Sequence, residues 1–205
     1  MTLDRRALIV SGLAIPGLVL GAAPATARAA SMPAVPGEMV MGSPTAPVQF
    51  VVYASASCPH CAHWWTDILP QVRKGFIDTG KVRMVFREFL TPPPEFAAAG
   101  FILARRIPGK YFEVLTTVFE KQASIYESEK LWEGLEAIGQ QYGLTAQQFA
   151  ETLRDPKALE AVNARFARAQ TDGIEGTPTF FVAGAQVDGS DFTALTRAFA
   201  VAAKG

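Results

Sequence analysis

The stretch Val48-Gln-Phe-Val-Val-Tyr-Ala-Ser-Ala-Ser-Cys-Pro-His-Cys61 decides how this chain folds. Val48 to Ala54 is rich in β-branched and aromatic residues and nearly continuous in hydrophobicity, the pattern of a strand buried on both faces. Ser55-Ala56-Ser57 breaks the run, and Cys58-Pro59-His60-Cys61 follows directly. From Cys61 to Asp78 the residues Trp64, Trp65, Ile68, Leu69, Val72, Phe76 and Ile77 recur at helical spacing, with Gly80 as the stop and Pro70 expected to kink the helix. Lys81 to Leu90 alternates Val82, Met84 and Phe86 against Arg83 and Arg87, which reads as a second strand. Two strands joined by so long a crossover imply a parallel βαβ unit.

Thr91-Pro92-Pro93-Pro94 punctuates the chain, and the sequence is helical from there to about Thr171. Phe112, Leu115, Val118 and Phe119 form one inward stripe, Leu131, Leu135, Ile138 and Tyr142 a second, and Leu159, Val162 and Phe166 a third. Thr145 to Gln148 fits a capping box, and Asp155-Pro156 supplies an N-cap with a first-turn proline. After Gly173 and Gly176 the strand pattern returns in Thr179 to Ala183, a tight Gly184-Ala185 connection and Gln186-Val187, before a final helix over Asp191 to Ala203 with Phe192, Leu195 and Phe199 inward. Sheet elements therefore bracket a helical insertion.

The chain has 205 residues, about half of them apolar, enough for one well-filled core. Its 19 basic and 19 acidic residues are interspersed, which leaves no basic footprint for nucleic acid. Residues 1–29 read as a secretory signal: Arg5 and Arg6, an apolar stretch from Ala7 to Leu20, then small residues ending in Ala27-Arg28-Ala29. The apolar stretch is shorter than the roughly 20 residues of a spanning helix, and Gly12, Pro16 and Gly17 interrupt it. The adjacent arginines leave the general and twin-arginine export routes both open. The chain from Ala30 onward, 30–205, then carries 16 basic and 18 acidic residues, a net charge of −2, and no stretch able to span a bilayer.

Cys58 and Cys61 are the only cysteines, three positions apart in a chain marked for an oxidising compartment. A staple closing so short a loop removes little entropy from the unfolded chain. A zinc site lacks ligands, since the only histidine besides His60 is His63. The remaining reading is redox. With Cys58 at the N-cap, Pro59 at the first helical position and Cys61 at the third, a Cys58 thiolate meets unpaired N–H groups and the positive end of the helix dipole, and a protonated His60 adds to the effect. Such sites lower a thiol pKa from about 8.5 into the range of roughly 3.5 to 7.5. Cys61, one turn inside, is the resolving thiol. Pro178, in Gly176-Thr177-Pro178-Thr179, stands where a strand begins; both a trans proline tolerated there and a cis bond facing the cysteines fit the sequence.

These residues carry a resemblance. Cys58-Pro59-His60-Cys61 after a hydrophobic strand, Asp78-Thr79-Gly80-Lys81-Val82-Arg83, a helical insert, then Gly176-Thr177-Pro178-Thr179-Phe180-Phe181-Val182 and a terminal helix resemble a DsbA-type periplasmic thiol:disulfide oxidoreductase, over roughly the whole chain after residue 29. The resemblance implies an α/β thioredoxin fold, its own part about 38–90 and 173–205, with an inserted all-helical domain about 92–171. It implies Cys58 as nucleophile, Cys61 as resolving thiol, a cis Pro178, and a Thr177 backbone that pairs with the substrate's strand. It further implies reduced or unfolded secreted proteins as substrates, a quinone-linked membrane oxidase of the DsbB type as partner, a monomer, and no bound cofactor. Relatives usually carry a buried carboxylate six positions before the first cysteine; here that position is Val52. Two other functions fit the sequence: a disulfide reductase or isomerase kept reduced by a partner, and a non-catalytic thioredoxin-like binding or chaperone module.

Overall fold

The computed structural model describes residues 31–204; the signal expected over 1–29 lies outside them. Five strands form one sheet in the order β1-β3-β2-β4-β5. The strands are β1 (Met39–Met41), β2 (Val48–Ala54), β3 (Val82–Glu88), β4 (Thr179–Val182) and β5 (Ala185–Val187). β2 and β3 are parallel, in register from Val48 opposite Val82 to Ala54 opposite Glu88, while β1, β4 and β5 pair antiparallel to their neighbours. Strand β2 lies at the centre and every residue of it is buried.

Helix α1 (59–77) fills the crossover between β2 and β3. It is not the evenly kinked α-helix that its sequence predicts. Pro59–His63 is α-helical, Trp64–Ile68 widens to π geometry, Leu69–Val72 returns to α, and Arg73–Ile77 widens again. Pro70 has no N–H to donate and its ring crowds the preceding turn, and the widened turn directly before it takes up that crowding, with Leu69 N–H reaching back to Trp64 O. The stop at Gly80 is a left-handed residue with φ of 74°.

Five helices separate β3 from β4: α2 (Pro94–Arg106), α3 (Tyr111–Ser128), α4 (Leu131–Gln141), α5 (Ala146–Arg154) and α6 (Pro156–Thr171); α7 (Phe192–Ala202) follows β5. Thr145 and Gln148 form the reciprocal capping box, and Asp155 Oδ1 accepts from Lys157 N–H at the start of α6. The hairpin turn is Ala183-Gly184 instead of Gly184-Ala185: both residues have positive φ, 50° and 81°, the requirement of the primed turns that match strand twist. Leu159, expected on the inward stripe of α6, is exposed and shares an open apolar groove with Trp132.

The two faces of the sheet are covered differently. Phe50, Val52, Met84, Phe86, Phe180 and Val182 face Trp64, Trp65, Phe199 and the apolar sides of α2 and α3, forming the main core. Val51, Tyr53, Val85 and Phe89 face Phe166 and Ala169 of α6. Arg87, a polar member of the strand's alternation, is buried on that second face. Its guanidinium donates to Tyr53 Oη at 2.7 Å and to Glu38 at 3.1 Å, with Asp172 at 3.7 Å.

Candidate active site

The end of β2 delivers the chain to the sheet edge beneath the start of α1, so strand pairing sets where Cys58 stands. Between them, Ser55 and Ser57 are buried and turn inward. Their hydroxyls lie 3.0 Å apart; Ser57 Oγ donates to Thr91 O at 2.7 Å, and Thr91 N–H donates to Ser55 Oγ at 3.1 Å. This ties the segment to the loop leaving β3. From the opposite side α3 supplies two donors: Gln122 Nε2 to Ala56 O at 2.7 Å and Cys58 O at 3.3 Å, and Tyr126 Oη to Ser57 O at 3.0 Å.

Cys58 is the N-cap of α1 and Pro59 follows at the first helical position. The Cys58 sulfur accepts from Cys61 N–H at 3.4 Å and, as a thiol, donates to Thr177 O at 3.3 Å. Both cysteines are buried, Cys58 at 7 % exposed and Cys61 more deeply at 1 %. The Cys58 thiol is pulled down to about 5. The Cys61 thiol's hydrogen bond is the largest cause; burial opposes it, and the Thr177 hydroxyl and the backbone N–H groups of Cys61 and His60 assist. Cys61 moves the opposite way, well above the ordinary thiol range, because it is buried and because an anionic Cys58 draws on its proton and repels its charge.

The peptide between Thr177 and Pro178 is cis. The Thr177 hydroxyl is buried, has no hydrogen-bond partner among ordinary donors and acceptors of the described residues, and favours the ionised form of both sulfurs. His60 and His63 are exposed; His63 Nδ1 pairs with Asp67 at 2.9 Å. Beside them a groove of about 350 Å³ runs along Pro178, Phe180 and the Asp188-Gly189-Ser190 loop, with His60 and Trp64 on its other wall. Trp64 Nε1 donates to Gly189 O at 2.9 Å and holds that loop. The structure thus brings Cys58, Pro59, His60, Cys61, Thr177 and Pro178 to one place. Val52 is fully buried between Phe86 and Phe180 in the strand register and presents no carboxylate.

Sequence reasoning missed Ser55, Ser57, Thr91, Gln122, Tyr126 and Gly189. A signal existed for one of them: Gln122 continues the apolar stripe of Val118 and Phe119 at helical spacing, and a polar residue on a buried stripe needs a partner.

A cysteine pair at a helix N-terminus against a cis proline, on a mixed sheet with a helical insertion between β3 and β4, defines a thioredoxin fold of the DsbA kind. The family model described as Thioredoxin matches residues 34–199, and the chain belongs to that family. It is 30% identical over 162 residues to a Rickettsia typhi protein named as a protein-disulfide oxidoreductase, covering 78% of this chain and 60% of that one. The chain therefore spans about three-fifths of that relative's length. Among solved structures, BdbD from Bacillus subtilis superposes with a TM-score of 0.76 at 22% identity, covering 87% of this chain and 99% of that one. Wolbachia pipientis alpha-DsbA1 gives a TM-score of 0.74 at 23% identity, covering 83% and 92%.

Proposed function

We propose that this protein is an exported thiol:disulfide oxidoreductase that passes a Cys58–Cys61 disulfide to reduced, unfolded proteins. The observation that carries the reading is the unequal pair: a Cys58 thiol lowered to about 5 beside a buried Cys61 that holds its proton. A stabilised thiolate favours the reduced form, so the disulfide is a strong oxidant.

The exchange has two steps. A substrate thiolate attacks Cys58 Sγ; the Cys58–Cys61 bond breaks, and its electron pair goes to Cys61 Sγ, which takes a proton. A second substrate thiolate then attacks the substrate sulfur of the mixed disulfide, and Cys58 departs as a thiolate. Two electrons have entered the protein and one substrate disulfide has formed. High acidity at Cys58 makes it a good leaving group in the second step and stabilises the reduced product. While the mixed disulfide persists, Cys58 carries no charge, so two of the three causes that suppress Cys61 ionisation vanish and Cys61 can return to attack.

The substrate strand would lie in the groove beside Pro178 and pair with the Thr177 backbone, an extended-peptide mode that tolerates many sequences. Reoxidation falls to a quinone-linked membrane partner of the DsbB type, and the N-terminal pattern of residues 1–29 supports a reaction outside the cytoplasmic membrane.

The test is the equilibrium of the dithiol with glutathione, run beside the oxidation of a reduced, unfolded protein. The proposal expects a potential on the oxidising side, near the strong oxidant at about −120 mV and far from the reductant thioredoxin at about −270 mV. A thioredoxin-like value would support the reductase reading instead. Unchanged refolding by a Cys58→Ala, Cys61→Ala double variant would leave the binding-module reading standing.

A further inference from the structure

We propose that Gln122 and Tyr126 of the inserted helix α3 are positioning residues that set the acidity of Cys58 by holding the three carbonyls leading into the nucleophile. The inference rests on the redox reading above. Ala56 O, Ser57 O and Cys58 O are successive, and all three accept from α3: Gln122 Nε2 takes the first at 2.7 Å and the third at 3.3 Å, and Tyr126 Oη takes the second at 3.0 Å. Nothing in a lid function requires an inserted helix to bond three consecutive backbone groups of the reactive segment.

The electrostatic consequence has a definite sign. A carbonyl oxygen carries the negative end of its peptide dipole, and a thiolate next to an unengaged carbonyl is destabilised. A donor on each oxygen offsets that charge and fixes the peptide plane. The packing makes the arrangement rigid: Gln122 is 2 % exposed, and α2 approaches so closely that a Cβ added at Gly100 would lie 3.1 Å from Ala56 Cβ. Tyr126 packs its ring on Phe96, with centroids 5.2 Å apart. Its phenol is pushed up to about 12 by burial and by the charges of Cys58 and Glu95, so it remains a neutral donor while Cys58 titrates.

The other charged or titratable groups facing Cys58 are few. His60 and Cys61 belong to α1, Tyr126 to α3, and Glu95 of α2 faces Tyr126. The Ser55, Ser57 and Thr91 side of the segment contributes only hydroxyl and backbone groups. The two α3 side chains are thus the main side-chain donors outside α1 and the Thr177 loop that act on this segment.

Three variants test the proposal in the full reduced protein: Tyr126→Phe, Gln122→Met and their combination. Ultraviolet thiolate absorbance gives the Cys58 titration midpoint without any substrate, so the result stands whether or not the protein oxidises proteins. Tyr126→Phe removes one hydrogen bond and Gln122→Met two; each is expected to raise the midpoint by about 0.5 to 1 pH unit, and the pair by more. The glutathione equilibrium should move by the same factor, roughly three- to tenfold, toward the protein disulfide. A midpoint and an equilibrium that stay at wild-type values, even with both redox forms melting at lower temperature, would reduce Gln122 and Tyr126 to structural clamps and overturn the proposal. Tyr126→Phe keeps the ring on Phe96 and decides the matter if the Gln122 variant fails to fold.

Discussion

Cys58 Sγ lies 3.3 Å from the carbonyl oxygen of Thr177, a contact that only the protonated sulfur can make as a donor. Ionisation exchanges it for the donors on the other side, the Cys61 thiol and the N–H groups of Cys61 and His60. The reduced site therefore has two proton states that differ at Cys58 alone. Below about pH 5 reduction of the disulfide consumes two protons per two electrons; above it, one. The reduction potential is expected to fall with rising pH by about 59 mV per unit below the break and about 30 mV above it. Redox titration against glutathione from about two pH units below the break to two above it locates the change of slope; a single slope across that whole interval would contradict the assignment.

The same shift changes stability, and its sign is fixed. An unfolded Cys58 titrates near its ordinary value of 9.0 and the folded one near 5, so the folded dithiol is favoured fully above pH 9 and loses that advantage as pH falls toward 5. The folded Cys61 keeps its proton while an unfolded one ionises near 9.0, so Cys61 adds nothing below about pH 8 and opposes the gain above it. The disulfide form has no thiol to titrate. Melting temperatures of the reduced and oxidised forms should accordingly follow the same pH trend below pH 5, with the reduced form gaining steadily from pH 5 to about 8. Parallel curves for the two forms would refute this.

Replacing Cys61 by Ala removes the largest single cause of Cys58 acidity. The Cys58 midpoint in Cys61→Ala is expected to rise toward the ordinary thiol range while staying below it, because the N–H groups at the helix start remain. The pH profile of alkylation by iodoacetamide reads this directly. A midpoint still near 5 would assign the acidity to the helix start alone.

How much of this was legible in the residues follows from which forces are local. Strands β2 and β3, the N-cap at Cys58, the capping box at Thr145 and the first-turn Pro156 are written in short patterns, and the sequence reading and the structure agree on them. Strand β1 was not legible: three residues, Met39–Met41, are too few to show a period, and the strand exists because β3 offers an edge. The burial of Arg87 was not legible because alternation records only what a strand does on its own; that face is covered by α6, more than 60 residues away in sequence, whose Ala169 and Phe166 sit over it. Gln122 and Tyr126 are distant from Cys58 along the chain by the same kind of separation, and only the packing of α3 brings them to it.

Glu88 stands at the end of β3 with its side chain 1 % exposed, between Arg105 at 2.6 Å and Arg165 at 2.5 Å, and accepts from Tyr111 Oη at 2.8 Å. One buried carboxylate thus joins β3 to α2, α3 and α6. Glu88→Gln leaves two guanidinium groups facing a neutral amide, and a broken buried pair costs about 3–5 kcal/mol. Urea unfolding should show a loss in that range, whereas a change under about 1 kcal/mol would mean that solvent reaches the arginines and compensates them.

Gly189 has no room for a side chain. A Cβ there would lie 2.4 Å from Phe180 Cδ2, and Phe180 cannot swing away, being stacked on Phe50 at 6.0 Å and against Trp64 at 5.0 Å between ring centroids. Gly189→Ala must therefore displace the Asp188-Gly189-Ser190 loop. The displacement breaks the bond from Trp64 Nε1 to Gly189 O and strands a buried indole N–H. Overpacking and the unpaired donor each cost about 1–3 kcal/mol. Because the loop walls the groove beside Pro178, KM for an unfolded protein substrate should rise while the Cys58 midpoint stays near 5. Ser190→Ala is the control, since the bond to Asp188 Oδ1 comes from the Ser190 backbone N–H and survives the change. A Gly189→Ala protein as stable as wild type would show that the loop moves without cost and that Trp64 does not hold it.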